Sequence, residues 1–139
     1  SIITSKNKSL QKQLISSGAL WESVAGYSRA VRAGNIIEVA DTTAVDGAEL
    51  VGEGSVYEQT RFIFSKIEKA LQQAGASMED VVRTRMYITD ISKWEEAAKA
   101  HGEVFAAIRP ASTLLAVAAL VDSRLLVEIE VIAIVTGSL

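Results

Sequence analysis

The chain has 139 residues, a formal net charge of −3 at pH 7, one histidine and no cysteine. This length suits a single domain. The absence of cysteine excludes disulfides and thiolate catalysis. Because the chain also has a single histidine, a transition-metal site is not expected. The acidic balance argues against a general nucleic-acid binder, and every apolar run is interrupted before the ~20 residues that a membrane-spanning helix requires.

The first 25 residues are predicted to form an N-terminal arm, followed by one domain over residues 26–139. The arm is polar and lacks sustained periodicity, and Trp21 is predicted to anchor it by packing. Residues 1–13 are rich in lysine and serine and have no apolar core. A secretory signal is therefore not predicted, and a cytoplasmic location is expected.

The domain is predicted to begin with a β-hairpin, formed by residues 27–32 and 36–40 around the turn pair Gly34-Asn35. A helix then begins at Ser55, because Ser55 and Glu58 have the spacing of a capping box, and ends at Gly75. Apolar side chains recur along this helix at steps of three and four residues, which indicates one buried face. They are Val56, Ile63, Ile67, Leu71 and Ala74.

The next predicted strand, residues 80–90, alternates between an apolar and a polar face. The apolar face is predicted to hold Val82, Thr84, Met86 and Ile88, and the polar face Arg83, Arg85 and Tyr87. A second helix is predicted from Ser92 to about Ile108, with Glu95 completing a second capping box. The element order is then β-β-α-β-α-β-β, an α+β fold with a mixed sheet and two helices on one face.

Two long apolar runs, residues 113–121 and 125–135, follow Pro110, the single proline of the chain. Such runs are typical of strands that are buried on both faces. Two helices can cover only one face of the sheet, so we expect another subunit to cover the other face. The alternative is a monomer in which a loop folds over the sheet.

The second apolar run contains two carboxylates at alternate positions, Glu128 and Glu130. An unpaired buried carboxylate costs several kcal/mol, so both side chains must meet water, a cation or a ligand. Arg83 and Arg85 also share one strand face. Cross-strand charge pairing is therefore the structural alternative to a Glu128 that faces a ligand.

The chain resembles the Rid family of small metabolite-handling proteins, also called YjgF/UK114-like, over about residues 15–136. Segments that carry the resemblance are residues 26–31, 74–77, 80–82, 87–90 and the strand sequence Val-Glu-Ile-Glu-Val at 127–131. The resemblance implies a chorismate-mutase-like fold, a homotrimer and a pocket between neighbouring subunits. Its best-known members hydrolyse 2-imino acids or enamines to 2-oxo acids and ammonia, without a cofactor.

The resemblance also implies where a site would lie. Tyr27 matches the tyrosine that lines the family pocket, and Glu128 matches the glutamate credited with positioning water. Thr42 and Thr43 stand near the Ser-Gly-Gln segment of active members. Ser112 takes the place of the arginine that binds the substrate carboxylate, so the chain is identified as a member of an arginine-lacking subgroup. Hydrolysis of an amino-acid-sized imine is therefore expected to be weak.

The candidate catalytic residue is Glu128. The candidate ligand-binding residues are Tyr27, Arg29, Thr42, Thr43 and Ser112. Arg29 is the candidate replacement for the missing cation, since Tyr27 and Arg29 point to the same side of a strand, although a solvent-exposed strand arginine is the alternative. His101 is interpreted as a hydrogen-bonded core histidine. A serine nucleophile at Ser112 is not proposed, because no base lies close to it in sequence.

Three classes of function fit these observations. The first is a hydrolase or deaminase that acts on a small imine or another C–N bond, the second a non-catalytic metabolite-binding module, and the third a partner-binding protein. The ribonuclease activity of some relatives is least favoured, given the acidic balance. We expect a small-molecule ligand and a homotrimer, and no cofactor, metal, nucleic acid or membrane partner.

Overall fold

The computed structural model describes residues 11–136. Its strands are β1 (Lys12–Ile15), β2 (Ala30–Ala33), β3 (Ile36–Thr42), β4 (Val45–Asp46), β5 (Glu49–Leu50), β6 (Val81–Ile88), β7 (Ala111–Ala116) and β8 (Val127–Ile134). Its helices are α1 (Leu20–Ala25), α2 (Val56–Gln73) and α3 (Trp94–Phe105), with 3₁₀ turns at Met78–Asp80 and Ile91–Lys93. The predicted order of strands and of the two long helices is confirmed. The strand β1, the short helix α1 and the small hairpin β4-β5 were not predicted.

Six strands form one mixed sheet in the order β1-β2-β3-β8-β6-β7. Neighbouring strands are antiparallel except for the parallel pair β6-β7. Strand β8 therefore lies near the centre, between β3 and β6. Helices α2 and α3 pack on one face of the sheet, as predicted, and the core lies between them and the strands.

The helix α2 follows the sequence prediction closely. Ser55 is its N-cap, and the Ser55 hydroxyl oxygen accepts a hydrogen bond from the backbone N–H of Glu58 at 3.1 Å. Gly75 follows the last turn with a φ of +82°, a conformation that glycine adopts without steric strain. All five apolar side chains predicted on its inner face are buried.

Two sequence predictions for β6 and α3 are wrong in detail. Val82 was placed on the apolar face, but the sheet register shifts between Val81 and Arg83, so Val81 is buried and Val82 is 42% exposed. The second helix begins at Trp94 and not at Ser92, because Asp90 caps a preceding 3₁₀ turn by accepting a hydrogen bond from Ser92 N–H. It ends at Phe105 and not at residue 108.

Pro110 marks the predicted boundary between α3 and β7. The residue before it, Arg109, has a φ of +58°, and its N–H bonds to the Phe105 carbonyl at 2.8 Å. Because this turn reverses the chain, β7 begins at once at Ala111. The strand β7 then ends at Ala116, so the second half of the apolar run 113–121 is not strand.

The two faces of β8 differ. Val127, Ile129, Val131 and Ala133 are buried under the helices. The side chains between them, Glu128, Glu130, Ile132 and Ile134, lie on the opposite side and stay partly exposed. We call this side the open face of the sheet. No loop among residues 11–136 buries it, so the alternative of a monomer with a loop folded over the sheet is wrong for this part of the chain.

The N-terminal part of the described chain also carries exposed apolar groups. Trp21, on α1, is 67% exposed, so it is not the packing anchor that the sequence suggested. Leu20 and Val24, on the same helix, are also exposed. Among residues 11–136, no helix combines the length and the apolar character needed to cross a bilayer.

Candidate functional site

The open face of the sheet holds a cluster of three carboxyl groups, which we call the acidic cluster: Asp41, Glu128 and Glu130. The register places Glu128 opposite Tyr87 and Glu130 opposite Arg85. A register shift in β3 between Val39 and Thr42 inserts one extra residue into that strand. Asp41 lies in this irregular segment, and its carboxyl group meets those of the two glutamates.

Glu128 is the most perturbed carboxyl group of the cluster. Burial, the negative charge of Asp41 and a hydrogen bond with the Asp41 carboxyl group raise the pKa of Glu128 to about 7. Burial and the charge of Glu130 also raise the pKa of Asp41. A carboxyl group that titrates near neutral pH can both accept and release a proton, which is the property required of a general acid or base.

Glu130 is fixed by a neighbouring tyrosine. The Tyr87 hydroxyl donates a hydrogen bond to the Glu130 carboxylate at 2.5 Å. This bond, burial and the negative charge of Glu130 raise the pKa of Tyr87 to about 12, so the phenol stays protonated. Glu130 therefore has a fixed donor, whereas the hydrogen bond of the Glu128 carboxyl group is with another carboxyl group, that of Asp41.

The predicted pairing of glutamates with arginines is not present among the described residues. Neither Arg83 nor Arg85 forms an ion pair with Glu128 or Glu130 there. The Arg83 guanidinium instead donates to the Thr113 hydroxyl at 2.5 Å. The alternative role of Glu128, as a structural partner of Arg83 or Arg85, therefore lacks the ion pair that it requires.

Arg29 connects the acidic cluster to Tyr27. Its guanidinium carbon lies 5.8 Å from the centroid of the Tyr27 ring, a cation–π contact. Both residues precede β2, which begins at Ala30, so they do not lie on a strand as predicted. Its Nη2 donates to the backbone carbonyl of Asp41 at 2.8 Å. Its Nε is buried and has no hydrogen-bond partner within residues 11–136. Arg29 is thus not a freely solvated strand arginine.

The two predicted threonines do not join this cluster through their side chains. Thr42 is fully buried, pairs with the core residue Ile129, and its hydroxyl donates to the carbonyl of Ala40. Thr43 contributes a backbone contact next to Asp41, because its carbonyl accepts a hydrogen bond from Lys66 Nζ at 2.9 Å. Lys66 also binds the Val45 carbonyl, and burial lowers its pKa. Lys66 therefore fastens the segment after Asp41 to α2.

Ser112 lies on the other face of the sheet. It pairs with Thr84 in the parallel register of β6 and β7, and the Thr84 hydroxyl lies 2.8 Å from the Ser112 hydroxyl. The same Thr84 oxygen lies 2.9 Å from His101 Nε2. Ser112 and His101 border a cavity of about 500 Å³, which we call the helix-side pocket. It is lined by Met86, Ile91, Trp94, Ala98, His101, Gly102, Ser112 and Leu114.

The predicted site residues therefore fall into two groups within one chain. Tyr27, Arg29 and Glu128 belong to the open face, whereas Ser112 belongs to the helix-side pocket. Sequence reasoning placed Glu130 on the same strand face as Glu128. It did not predict that Asp41 of the same chain would meet Glu128 or that Tyr87 would bind Glu130. The sequence did assign Tyr87 to the polar face of its strand, together with Arg83 and Arg85. The register shift that places Asp41 beside Glu128 has no signal in the sequence.

The described part of the chain shows no group of three or more histidine, aspartate or glutamate side chains arranged to hold a metal ion. Burial is the largest cause of the raised pKa of Glu128, the negative charges of Asp41 and Glu130 add to it, and the Arg29 guanidinium opposes it.

The raised pKa of Glu128 leads to a prediction about stability. Its folded-state pKa lies above the unfolded value, so its stabilising contribution is full below about pH 4.5 and is lost as the pH rises through about 7. We expect Glu128→Gln to raise the free energy of unfolding at pH 8 by about 1–2 kcal/mol, after allowance for solvent screening, and to change it little at pH 4.

Thermal denaturation of the Glu128→Gln variant at both pH values checks this, with Glu38→Gln as a matched control. Glu38 is exposed on β3, next to Ile132 of β8 on the same face. A lower melting temperature of Glu128→Gln at pH 8 would contradict the prediction, because it would show that the Glu128 carboxylate has a stabilising cation.

The sequence is similar to that of a known protein family. The family model described as Endoribonuclease L-PSP matches residues 18–135. An uncharacterized protein of Streptomyces coelicolor is 42% identical over 117 residues, which cover 84% of this chain and 87% of that protein.

Similar solved structures belong to the same family. Rv2704 from Mycobacterium tuberculosis, described as a member of the highly conserved YjgF/YER057c/UK114 family, is 46% identical with a TM-score of 0.83, and the match covers 90% of this chain and 100% of that one. YyfA from Yersinia pestis, described as a protein of unknown function of the Rid family, is 29% identical with a TM-score of 0.80 over 90% of this chain and 100% of that one. The chain therefore belongs to the Endoribonuclease L-PSP family, whose members are also called YjgF/UK114-like or Rid proteins.

Proposed function

We propose that this protein is a cytoplasmic homotrimer that binds a small polar metabolite between subunits and hydrolyses an imine-type C–N bond in it. The observation that carries the proposal is the Glu128 carboxyl group, half-buried beside Asp41, with a pKa of about 7. Membership of the Rid family supports a small-molecule role.

The proposed reaction uses Glu128 for proton transfer. The Glu128 carboxylate accepts a proton from a water molecule as the water oxygen bonds to the imine carbon. The protonated carboxyl group then returns that proton to the amino nitrogen of the carbinolamine. As the C–N bond breaks, the hydroxyl proton of the carbinolamine passes to the Glu128 carboxylate, a C=O bond forms and ammonia leaves. The carboxyl group finally gives this proton to ammonia, which becomes NH4⁺. The acidic cluster attracts a protonated imine by its negative potential, and Tyr27 and Arg29 border the same surface.

The proposed trimer explains why the site residues are divided between two faces. The open face exposes apolar groups such as Ile36 and Leu115, and Ile132 lies on the same face. Covering this face with a second copy would bury these groups. It would also allow the helix-side pocket of one subunit to meet the acidic cluster of the next, so that Ser112 and Glu128 act on one ligand.

Two other functions are weaker candidates. A non-catalytic metabolite-binding module is favoured by one observation, since Ser112 supplies no cation where active relatives have an arginine. The name of the family model suggests ribonuclease activity. Asp41, Glu128 and Glu130 would repel a phosphate backbone, so the acidic cluster favours a small molecule over RNA.

The test is ammonia release from 2-iminopropionate, which an amino-acid oxidase generates in situ from alanine. Because the pocket lacks the guanidinium, we expect wild-type hydrolysis to be weak, and we expect Ser112→Arg to raise kcat/KM by roughly tenfold or more. Ser112 is exposed, so the longer side chain has room.

Ser65→Arg is the matched control, since it adds the same charge at an exposed position on α2, away from both surfaces. A wild-type rate that equals that of an arginine-bearing relative would show that another residue, such as Arg29, already binds the carboxylate. An unchanged rate in Ser112→Arg would remove the helix-side pocket from the site.

A further inference from the structure

The helix-side pocket has no formal charge among its lining residues. Met86, Ile91, Trp94 and Leu114 supply apolar surface, and Ala98 and Gly102 leave space between them. Its volume of about 500 Å³ is in the usual range for small-molecule sites. The pocket is therefore large enough for an aromatic ring or a branched aliphatic group.

The polar side-chain groups that line the pocket are those of Ser112 and His101 and the indole N–H of Trp94. Thr84 joins Ser112 and His101 in a hydrogen-bonded chain. Burial lowers the pKa of His101, so the imidazole is neutral at pH 7. Its ring packs on Phe105 at a centroid distance of 4.7 Å, which fixes its position. This chain of groups is polar and uncharged throughout.

The proton order along this chain determines what Ser112 offers to a ligand. The Thr84 hydroxyl has one proton, so it donates to either Ser112 or His101 and accepts from the other. If it donates to Ser112, the Ser112 proton is free to point into the pocket. If it donates to His101, Ser112 donates back to Thr84 and presents lone pairs. In both arrangements Ser112 suits a neutral ligand group.

A carboxylate, in contrast, would lose its hydration in this pocket and gain no cation, which is unfavourable. Arg109 lines an adjacent depression with Phe105 and Pro110, not the helix-side pocket.

We infer that the ligand places an uncharged, apolar group in the helix-side pocket, and that the substrate is the protonated imine of an apolar primary amine without a carboxylate. The inference rests on the proposed function, because Glu128 of a neighbouring subunit would face the imine. In the reaction, water adds to the carbon of R–CH=NH2⁺, the C–N bond breaks, and R–CHO and NH4⁺ form without oxidation or reduction. The oxidation of a primary amine is the class of reaction that must supply this substrate.

Two stable probes test the inference by calorimetry. Benzamidine carries a planar cation on an apolar ring and no carboxylate, whereas benzoylformate carries the same ring with a 2-oxo acid. We expect wild-type protein to bind benzamidine and not benzoylformate. We expect Trp94→Ala to weaken benzamidine binding at least about tenfold, and Trp21→Ala, which removes an exposed tryptophan outside the pocket, to leave it unchanged. Ser112→Arg should weaken benzamidine binding and create binding of benzoylformate.

Each contrary result overturns the inference. No benzamidine binding at millimolar concentration would do so, as would equal binding in the Trp94→Ala variant. Benzoylformate binding to wild-type protein that is lost in Arg109→Gln would show that Arg109 supplies a cation to this pocket. The calorimetry and the hydrolysis assay also distinguish this inference from the proposed function. Benzamidine binding without imine hydrolysis would support the inference and contradict the proposed function. Fast hydrolysis of 2-iminopropionate without benzamidine binding would do the reverse.

Discussion

Glu128→Gln is expected to lower the rate of imine hydrolysis by about 10²–10⁴-fold, the usual contribution of a general acid or base. Glutamine keeps the size of the side chain and can still hydrogen-bond to Asp41, but it cannot accept a proton from water. The loss should therefore appear in kcat and not in folding, since the same change is expected to stabilise the protein above pH 7.

The measurement is the initial rate of ammonia release in excess of the spontaneous reaction. The imine is generated from alanine by an amino-acid oxidase and, in a parallel assay, from benzylamine by a flavin-dependent amine oxidase. Glu38→Gln, on the same face of β3, is the control and should retain the wild-type rate. Full activity in Glu128→Gln would exclude this residue from catalysis and would favour a non-catalytic binding module.

Ile132→Glu is expected to convert the proposed trimer into a monomer. Ile132 lies on the open face in the central strand β8, opposite Glu38 and Arg83. A carboxylate buried there between subunits would cost several kcal/mol, which is enough to dissociate an assembly at micromolar concentration. Its effect on the isolated fold should be small, because the side chain points away from the core.

Sedimentation equilibrium over a wide concentration range checks this expectation. The wild-type mass should be three times 14.9 kDa, and that of Ile132→Glu should be 14.9 kDa. Val121→Glu is the matched control, because Val121 is 97% exposed in the connection between β7 and β8. A wild-type monomer at all concentrations would contradict the proposed trimer and the site between its subunits.

The parts of the fold that could be predicted are those that depend on neighbours in sequence. The helix α2 is the best case, because its cap at Ser55, its buried stripe and its stop at Gly75 are all local signals. The hairpin of β2 and β3 around Gly34 is another. Strand β1 could not be predicted in this way, because its formation depends on pairing with β2 and not on a pattern of its own.

The parts of the site that were missed depend on contacts between distant segments. Asp41 meets Glu128 only because β3 carries one extra residue beside β8, and a register shift leaves no pattern in the sequence. Ser112 looked isolated from any base along the chain. Thr84 connects it to His101, and this connection requires the parallel register of β6 and β7.

The central claim is that the Glu128 carboxyl group transfers the proton in imine hydrolysis, and the pH dependence of kcat/KM tests it most directly. The rate that remains after subtraction of the Glu128→Gln rate should rise with pH through an apparent pKa near 7, as Glu128 becomes a carboxylate. In Asp41→Asn the midpoint should move toward the ordinary glutamate value, because the negative charge that raises the pKa is gone. A profile with no midpoint near 7, or one that Asp41→Asn leaves unchanged, would contradict the claim.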